Sequence, residues 1–538
     1  MSLETLNALH LSEESAEQPQ PFSARLLAPQ LHQALDSCSQ SIKSGDIRQS
    51  EALAFEVADF LSSISDSVAS ELDGDEAERT AYEIVSKIHQ YITSLPLDQD
   101  VMDVLAFHLP KAAARFACAS GRCSEVAESR QSERRWKKKA ALGSPSQKLS
   151  KTGYFAPLLS GLAKVFRSIQ RQHFKNIKAA VMIILNALKA TSLEPAIEDT
   201  SSKDLFDEVI LVARSIQAVS VKLEGDDNRK LRALFGLFVL QIMALASISR
   251  RDKVASCTPL VLQLSQFLQF CGLSNLGLIT GCEVEMLTSI AIGDDGDDYT
   301  SCFCYVKHGA ALAVIWGHES IGVTVGAELD LSTVKDELRR NQTERWQALG
   351  MLNHILSCAY LPWELKKQAI NFLLCVMEGN VEKCHDERTD ASGFVPCLYA
   401  SLQAVRMVLM YAPDAVLRKD AFHAFKRVLA DVPACLRFET LLALVKNNEC
   451  SSMIALLLDL VREELRMEYR QRISSGNEVR QSESSLCHEP YFWRAEVLEF
   501  VELVLRPTKG GPPSLPEDTD AVLSALTLYK FSLMTESA

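Results

Sequence analysis

The stretch from Leu361 to Asn380, LPWELKKQAINFLLCVMEGN, carries its own start, apolar face and stop. Pro362 suits the first turn of a helix, where its missing N–H would be unbonded anyway, and Gly379 with Asn380 tolerates a left-handed exit. Between them Leu365, Ala369, Phe372, Leu373 and Val376 recur at helical spacing, while Glu364, Lys366, Lys367 and Gln368 fill the rest of the first turns. Trp363, Ile370, Leu374 and Met377 widen the stripe until little of the C-terminal half can face water. A helix this broadly apolar needs neighbours on two sides, as stacked helix pairs provide.

The same spacing runs through most of the chain. Residues 1–22 are polar, acidic and Pro-containing, and are expected to be disordered. An N-terminal helical region follows over 23–120, with helices at Ala28–Ser44, Gln49–Ser67, Asp75–Ser94 and Asp98–Cys118. Over 121–152 the composition shifts to a basic linker or insertion, with Arg134, Arg135, Lys137, Lys138 and Lys139 around Trp136. That run admits two readings, a nuclear-import signal and a solvated helix end; as it stands alone, the second is preferred. A middle helical region over 153–331 includes helices at Arg229–Ser249, Leu276–Ala291 and Tyr299–Trp316, with one β-like joint before Asp330. From 332 to 538 helices at Thr343–Ala359, Pro362–Met377, Val395–Tyr411, Pro413–Leu429, Ala434–Lys446, Cys450–Arg470, Glu489–Leu505 and Glu517–Leu533 follow at fairly even spacing without a residue-level repeat. The expected fold is all-α, a HEAT/armadillo-like helical repeat solenoid whose repeats have diverged in sequence.

Sparse Gly and Pro (23 and 18 in 538 residues) and the lack of alternating Val/Ile/Thr runs with Asn-Gly turns argue against a sandwich or barrel. A net charge of −13 lacks the basic footprint that phosphate contacts need, so no nucleic-acid partner is expected. The apolar run Leu234–Ile248 is only 15 residues before Arg250, short of the ~20 a membrane span needs, so a buried central helix is expected instead. Cys257, Cys271, Cys358, Cys375 and Cys435 sit singly in apolar runs, as buried reduced thiols do. The N-terminus has neither a basic n-region nor an apolar h-region, so no secretory signal is expected and the nucleus and cytoplasm are.

Sites of chemistry are scarce. Cys302, Cys304 and His308, with His318 and Cys282 nearby, lack the Cys-x(2–4)-Cys gap and the second ligand pair of a zinc site. Asp294, Asp295, Asp297 and Asp298 have the wrong spacing for a calcium loop and no closing Glu. Cys384-His385-Asp386 and Cys487-His488 are sequence neighbours in polar joints, which is not how a nucleophile and its base are brought together. No P-loop, dinucleotide fingerprint, G-x-S-x-G or H-E-x-x-H is present. No catalytic residue, metal, cofactor or small-molecule substrate is assigned, and a non-enzyme is expected.

The remaining candidate is a protein-binding face. The helix from Cys450 passes from an apolar start into Arg462, Arg466, Arg470 and Arg472, and after a polar loop Tyr491, Phe492, Trp493 and Arg494 open the next helix. Arg with Tyr and Trp is the composition of interface hot spots. Equally, Arg at a helix C-terminus complements the dipole, and aromatics at a helix start often belong to a core. Both readings stand at this point.

PWELKKQAINFLLCVMEGN, together with FACASGRCSEVAE, DAVLRKDAFHAFKRVLADVP, LLALVKNNECSSMIALLLDLVREELR and WRAEVLEFVELVLRP, resembles the glomulin family, more closely its plant branch. The resemblance spans most of the chain and is strongest from about 343 onward. It implies a HEAT-like scaffold without enzymatic activity, whose C-terminal repeats bind the RING-box subunit of cullin-RING (SCF-type) ubiquitin ligases. Masking the docking face for the ubiquitin-conjugating enzyme would then inhibit ubiquitin transfer, with lateral root initiation and auxin response as the plant context. Position and composition make Arg466, Arg470, Arg472, Trp493 and Arg494 the expected contacts. Because the family carries further helices beyond the one ending near Leu533, a shortened C-terminus with an open terminal repeat is also expected. A helical adaptor for transport or scaffolding is the competing class, and an enzyme using the cysteine-rich middle a weaker third.

Overall fold

The computed structural model describes residues 173–193, 199–249, 254–293, 302–319, 330–378, 394–476, 491–506 and 512–536, with Leu159, Leu162, Ala163, Phe166 and Arg167 before them. The four expected N-terminal helices, the basic run at Arg134–Lys139, the Asp294–Asp298 cluster, the joint from 320 to 329, the Gly379-Asn380 exit and both Cys-His doublets lie outside the described residues. Every described element is a helix, so the protein is all-α. Two compact units emerge, one formed by residues up to Leu331 with Ala359–Pro362, the other by Ser332–Cys358 and Trp363 onward.

The first unit contains α1 (His173–Leu193), α2 (Asp199–Lys222), α3 (Gly225–Ser249), α4 (Val254–Phe270), α5 (Asn275–Thr280), α6 (Cys282–Ile292) and α7 (Val306–Glu319). α3 is its hub. Asp226 and Asp227 complement the dipole of its first turn, and Asp226 pairs with Lys230 at 2.6 Å. From Ala233 to Ile248 every residue is buried, and α1, α2, α4, α6 and α7 all pack against it. The length argument against a membrane span therefore fails, because at 25 residues α3 is long and apolar enough to cross one. What the structure shows is an apolar 18-residue stretch of α3 that is 94% buried inside protein. Its polar side chains are bonded there in part: the Tyr305 N–H donates to Gln241 Oε1 at 2.9 Å and Trp316 Nε1–H to Ser247 Oγ at 3.2 Å, while Gln241 Nε2 is buried with no hydrogen-bond partner among the described residues. α7 crosses closely because Gly309 has no Cβ; one placed there would meet the Leu240 carbonyl oxygen.

Leu276–Ala291, expected as one helix, is two. Gly281 at φ +84° closes α5 and opens α6, while Ser274 caps α5 by accepting from Gly277 N–H. The expected helix from Tyr299 is described from Cys302 on, where a turn over 303–305 interrupts it before the run Val306–Glu319.

The second unit contains α8 (Leu331–Arg340), α9 (Gln342–Ser357), α10 (Trp363–Val376), α11 (Val395–Tyr411), α12 (Ala415–Asp431), α13 (Ala434–Lys446), α14 (Ser451–Gly476), α15 (Val497–Leu505) and α16 (Thr519–Glu536). Here packing runs between near neighbours in sequence: α9 with α10 and α11, α10 with α12, α11 with α12, α13 with α14, and α14 with α16. α10 buries the expected face, Leu365, Ala369, Phe372, Leu373 and Val376, together with Ile370, between α9 and α12. Lys366 breaks the expected polar side. It is 7% exposed over the Trp363 ring, and burial pushes its ammonium below the usual lysine range. α8, which the sequence reading passed over, seats Leu331, Val334 and Leu338 inward.

One buried node ties three of these helices. Arg345, 1% exposed, meets Asp431 through both carboxylate oxygens at 2.6 and 2.9 Å, and donates to the Leu338 and Arg339 carbonyls that end α8. Trp346 Nε1–H donates to the same carboxylate at 3.0 Å. Bidentate geometry and the added carbonyl and indole hydrogen bonds offset the desolvation cost that makes many buried ion pairs unfavourable.

Candidate protein-binding surface

α14 buries Met453, Leu457, Leu458, Leu460, Val461 and Leu465, then changes character as its arginines emerge. Arg462 stays near the helix surface against Asp459 at 2.8 Å. Arg466, Arg470 and Arg472 are exposed and carry no ion pair among the described residues. The helix runs six residues past the expected end at Arg470, which puts Arg472 on regular helix.

The segment Tyr491–Glu496 does not open a helix. It forms a turn, and α15 begins only at Val497. The cause lies on α14: the Phe492 N–H donates to Glu468 Oε2 at 3.0 Å, and the neighbouring backbone N–H groups of Tyr491 and Trp493 also favour that carboxylate's charged form. Burial nevertheless dominates and pushes the Glu468 carboxyl above the ordinary range, with Glu464 adding like-charge repulsion. Below the turn, Phe492 is fully buried and meets Phe438 edge-on at 5.4 Å, which in turn meets Phe500 at 5.2 Å.

Anchored by Phe492 and Glu468, the turn presents its other residues at the surface. Trp493 stacks on Tyr469 at 5.3 Å and 15°, and the Arg472 guanidinium lies 5.1 Å from the same indole. Arg494 lies 4.8 Å from the Tyr491 ring. Arg466 engages a different neighbour, the Phe531 ring of α16, at 5.2 Å, and Arg470 one turn on is exposed. Of the five residues singled out in the sequence, Arg472 and Trp493 are in direct contact, with Arg494 in the same turn. Arg466 and Arg470 lie on the side that runs onto α16. Each cation–ring contact contributes only about 0.5–1 kcal/mol at such exposure. Their larger effect is to hold long side chains in place, which lowers the ordering cost of a later association. Sequence reasoning missed Glu468, Tyr469 and Phe531, since a single Glu among arginines gives no sign that it collects backbone N–H groups from a segment more than twenty residues away.

The other candidates disperse. Cys302 is buried with its thiol 3.4 Å from Asn186 Oδ1, while Cys304 and Cys282 are exposed. Among the described residues no group of three or more His, Cys, Asp or Glu side chains converges. Of the five cysteines expected to be buried, Cys257 and Cys358 are, whereas Cys271, Cys375 and Cys435 are half-buried. Desolvation pushes the Cys271 thiol up to about 12 against the opposing pull of Arg232, so it stays protonated at neutral pH.

Comparison with known proteins bears on this region. Over 520 residues the chain is 41% identical to Aberrant root formation protein 4 of Arabidopsis thaliana, covering 94% of this chain and 80% of that protein. The family described as "Uncharacterised protein family, YAP/Alf4/glomulin" matches residues 389–536. The chain belongs to the YAP/Alf4/glomulin family. The matched residues of this glomulin-family chain run from α11 to α16 and so contain α14, the turn at Tyr491–Glu496 and all five candidate contact residues.

Proposed function

We propose that this glomulin-family chain is a non-enzymatic regulator that binds the RING-box subunit of a cullin-RING (SCF-type) ubiquitin ligase through its second unit. By covering the face where the ubiquitin-conjugating enzyme docks, it would inhibit ubiquitin transfer. The supporting observation is the surface of Arg466, Arg470 and Arg472, which carry no ion pair among the described residues, beside the stacked Trp493 and Tyr469, inside the family-matched residues. Such inhibition is steric competition, so its potency follows affinity and concentration and needs no catalytic group. The name of the Arabidopsis relative supports a role in root formation, which we take as lateral root initiation and auxin response. We place the protein in the nucleus and cytoplasm. Neighbour-to-neighbour packing in the second unit supports a HEAT-like solenoid as the scaffold.

An in vitro ubiquitination assay with a neddylated cullin and its RING-box protein tests this reading. Adding the chain is expected to suppress ubiquitin-chain formation and to give a direct complex with the RING subunit; no complex at micromolar concentration overturns it. Arg470→Glu is the cleanest site variant, because this exposed residue makes no ion pair, hydrogen bond or ring contact within the described chain. It is expected to weaken the complex by about tenfold or more, and unchanged affinity removes the site assignment. A helical adaptor, the second reading, keeps the neighbour-to-neighbour packing but predicts no effect on ubiquitin transfer.

A further inference from the structure

α16 has its small residues turned inward. Ala521, Ala525, Leu528, Ser532 and Thr535 are buried, and the helix packs closely along α14. The bulky apolar side chains Leu523, Leu526, Tyr529, Leu533 and Met534 are left 42–62% exposed on the outer side. Soluble helices ordinarily bury the bulkier set. The outward patch is on the order of 500 Å², at the upper end of what a monomer surface shows.

The charge around this patch narrows its occupant. Lys530 is exposed within the strip, seven residues after Leu523 and four after Leu526, and takes part in no ion pair among the described residues. Arg466 lies over Phe531 at the edge of α16, with Arg470 beyond it. Asp520, at the start of the helix, is taken up by the Ser452 hydroxyl at 2.7 Å. In a chain of net charge −13, three basic residues, Lys530, Arg466 and Arg470, thus lie in or beside the apolar strip. A second copy paired about a two-fold axis would bring the same positive residues toward one another. A membrane-surface helix would carry many Lys and Arg along its own flank, where α16 has Lys530 alone.

We propose that the outer face of α16, extended by Arg466 and Arg470, is a docking surface for an amphipathic helix of another protein whose apolar residues are flanked by carboxylates. Its apolar residues seat on Leu523, Leu526 and Tyr529, and its carboxylates pair with Lys530 and the two arginines. This goes beyond the RING-box reading: the two share Arg466 and Arg470, while Leu523, Leu526, Tyr529 and Lys530 belong to this surface alone.

The test is to pan a displayed library of helical peptides against the full chain. Enriched sequences are expected to carry apolar residues three and four apart with flanking Asp or Glu. A synthesised, labelled member is expected to lose about tenfold or more in affinity for Leu523→Glu/Leu526→Glu and for Lys530→Glu. No enrichment over the double variant, enrichment of basic peptides, or unchanged affinity overturns the proposal. So does concentration-dependent dimerisation abolished by Leu526→Glu, which gives the face to a second copy. Binding to phosphatidylcholine–phosphatidylserine vesicles that both variants lose likewise overturns it in favour of a membrane. If the double variant fails to fold by circular dichroism, Lys530→Glu decides, since every apolar side chain stays in place. Lost peptide binding with intact inhibition of ubiquitin transfer separates this surface from the RING-box site.

Discussion

The two units bury comparable apolar side chains in different ways. In the first, one helix, α3, is enclosed by five others, so most of the core passes through it. In the second, helices pack mainly on those next to them or one removed in sequence, and long-range ties are individual nodes such as Arg345–Asp431. A hub spreads any disturbance to all of its partners. Packing between near neighbours keeps it local, and leaves many helix faces at the surface where a partner can reach them. The exposed arginines of α14 and the outer face of α16 both belong to the second kind.

The largest expected effect tests that locality. Asp431→Ala leaves the Arg345 guanidinium buried without its carboxylate and is expected to cost about 3–5 kcal/mol. Urea unfolding reads the loss, and hydrogen exchange should confine lost protection to α8, α9, α12 and their immediate neighbours. Protection lost uniformly from α8 to α16 would break the contrast. Gly309→Ala tests the hub. Its methyl would press on the Leu240 carbonyl, backbone that cannot swing aside, with an expected cost of about 1–3 kcal/mol and protection lost across α1 to α7 together. Ser247→Ala is milder: it strands the buried Trp316 N–H at a cost of about 1 kcal/mol, read as a lower unfolding midpoint in urea.

Periodicity reveals which segments are helical more readily than which side of a helix faces in. α10 came through with its apolar face as expected, because its stripe leaves few alternatives. For α16 periodicity placed the helix but named no face, since the choice of Ala521 and Ala525 over Leu523 and Leu526 as the inner side belongs to the close approach of α14, which a local pattern does not contain. Leu276–Ala291 satisfied helical spacing throughout, and only the positive φ of Gly281 divides it. α3 shows a length error of another kind: counting the apolar run alone ignored the polar first turns, which the helix also includes. At the candidate surface, residue types pointed to Arg472 and Trp493, but the turn that brings them into contact depends on Glu468, which composition does not single out.

Glu468 gives the smallest effect and the sharpest probe of that turn. Burial raises its carboxyl above the usual 4.5, partly offset by the backbone N–H groups of Phe492, Trp493 and Tyr491. An acid whose folded-state pKa exceeds its unfolded value binds more protons when folded, so stability from this group is greatest at low pH and falls as pH rises from 4.5 through the raised value. Glu468→Gln removes the titration while keeping one carbonyl oxygen as an acceptor for Phe492 N–H. The difference in thermal unfolding midpoint between the variant and the parent chain is therefore expected to shift in the variant's favour as pH climbs from about 4.5 to 7. A flat difference would mean the carboxyl titrates normally and the turn is held by Phe492 against Phe438 instead. Glu468→Ala, which removes the acceptor altogether, should also loosen Trp493 from Tyr469, and tryptophan fluorescence reads that loosening separately from global unfolding.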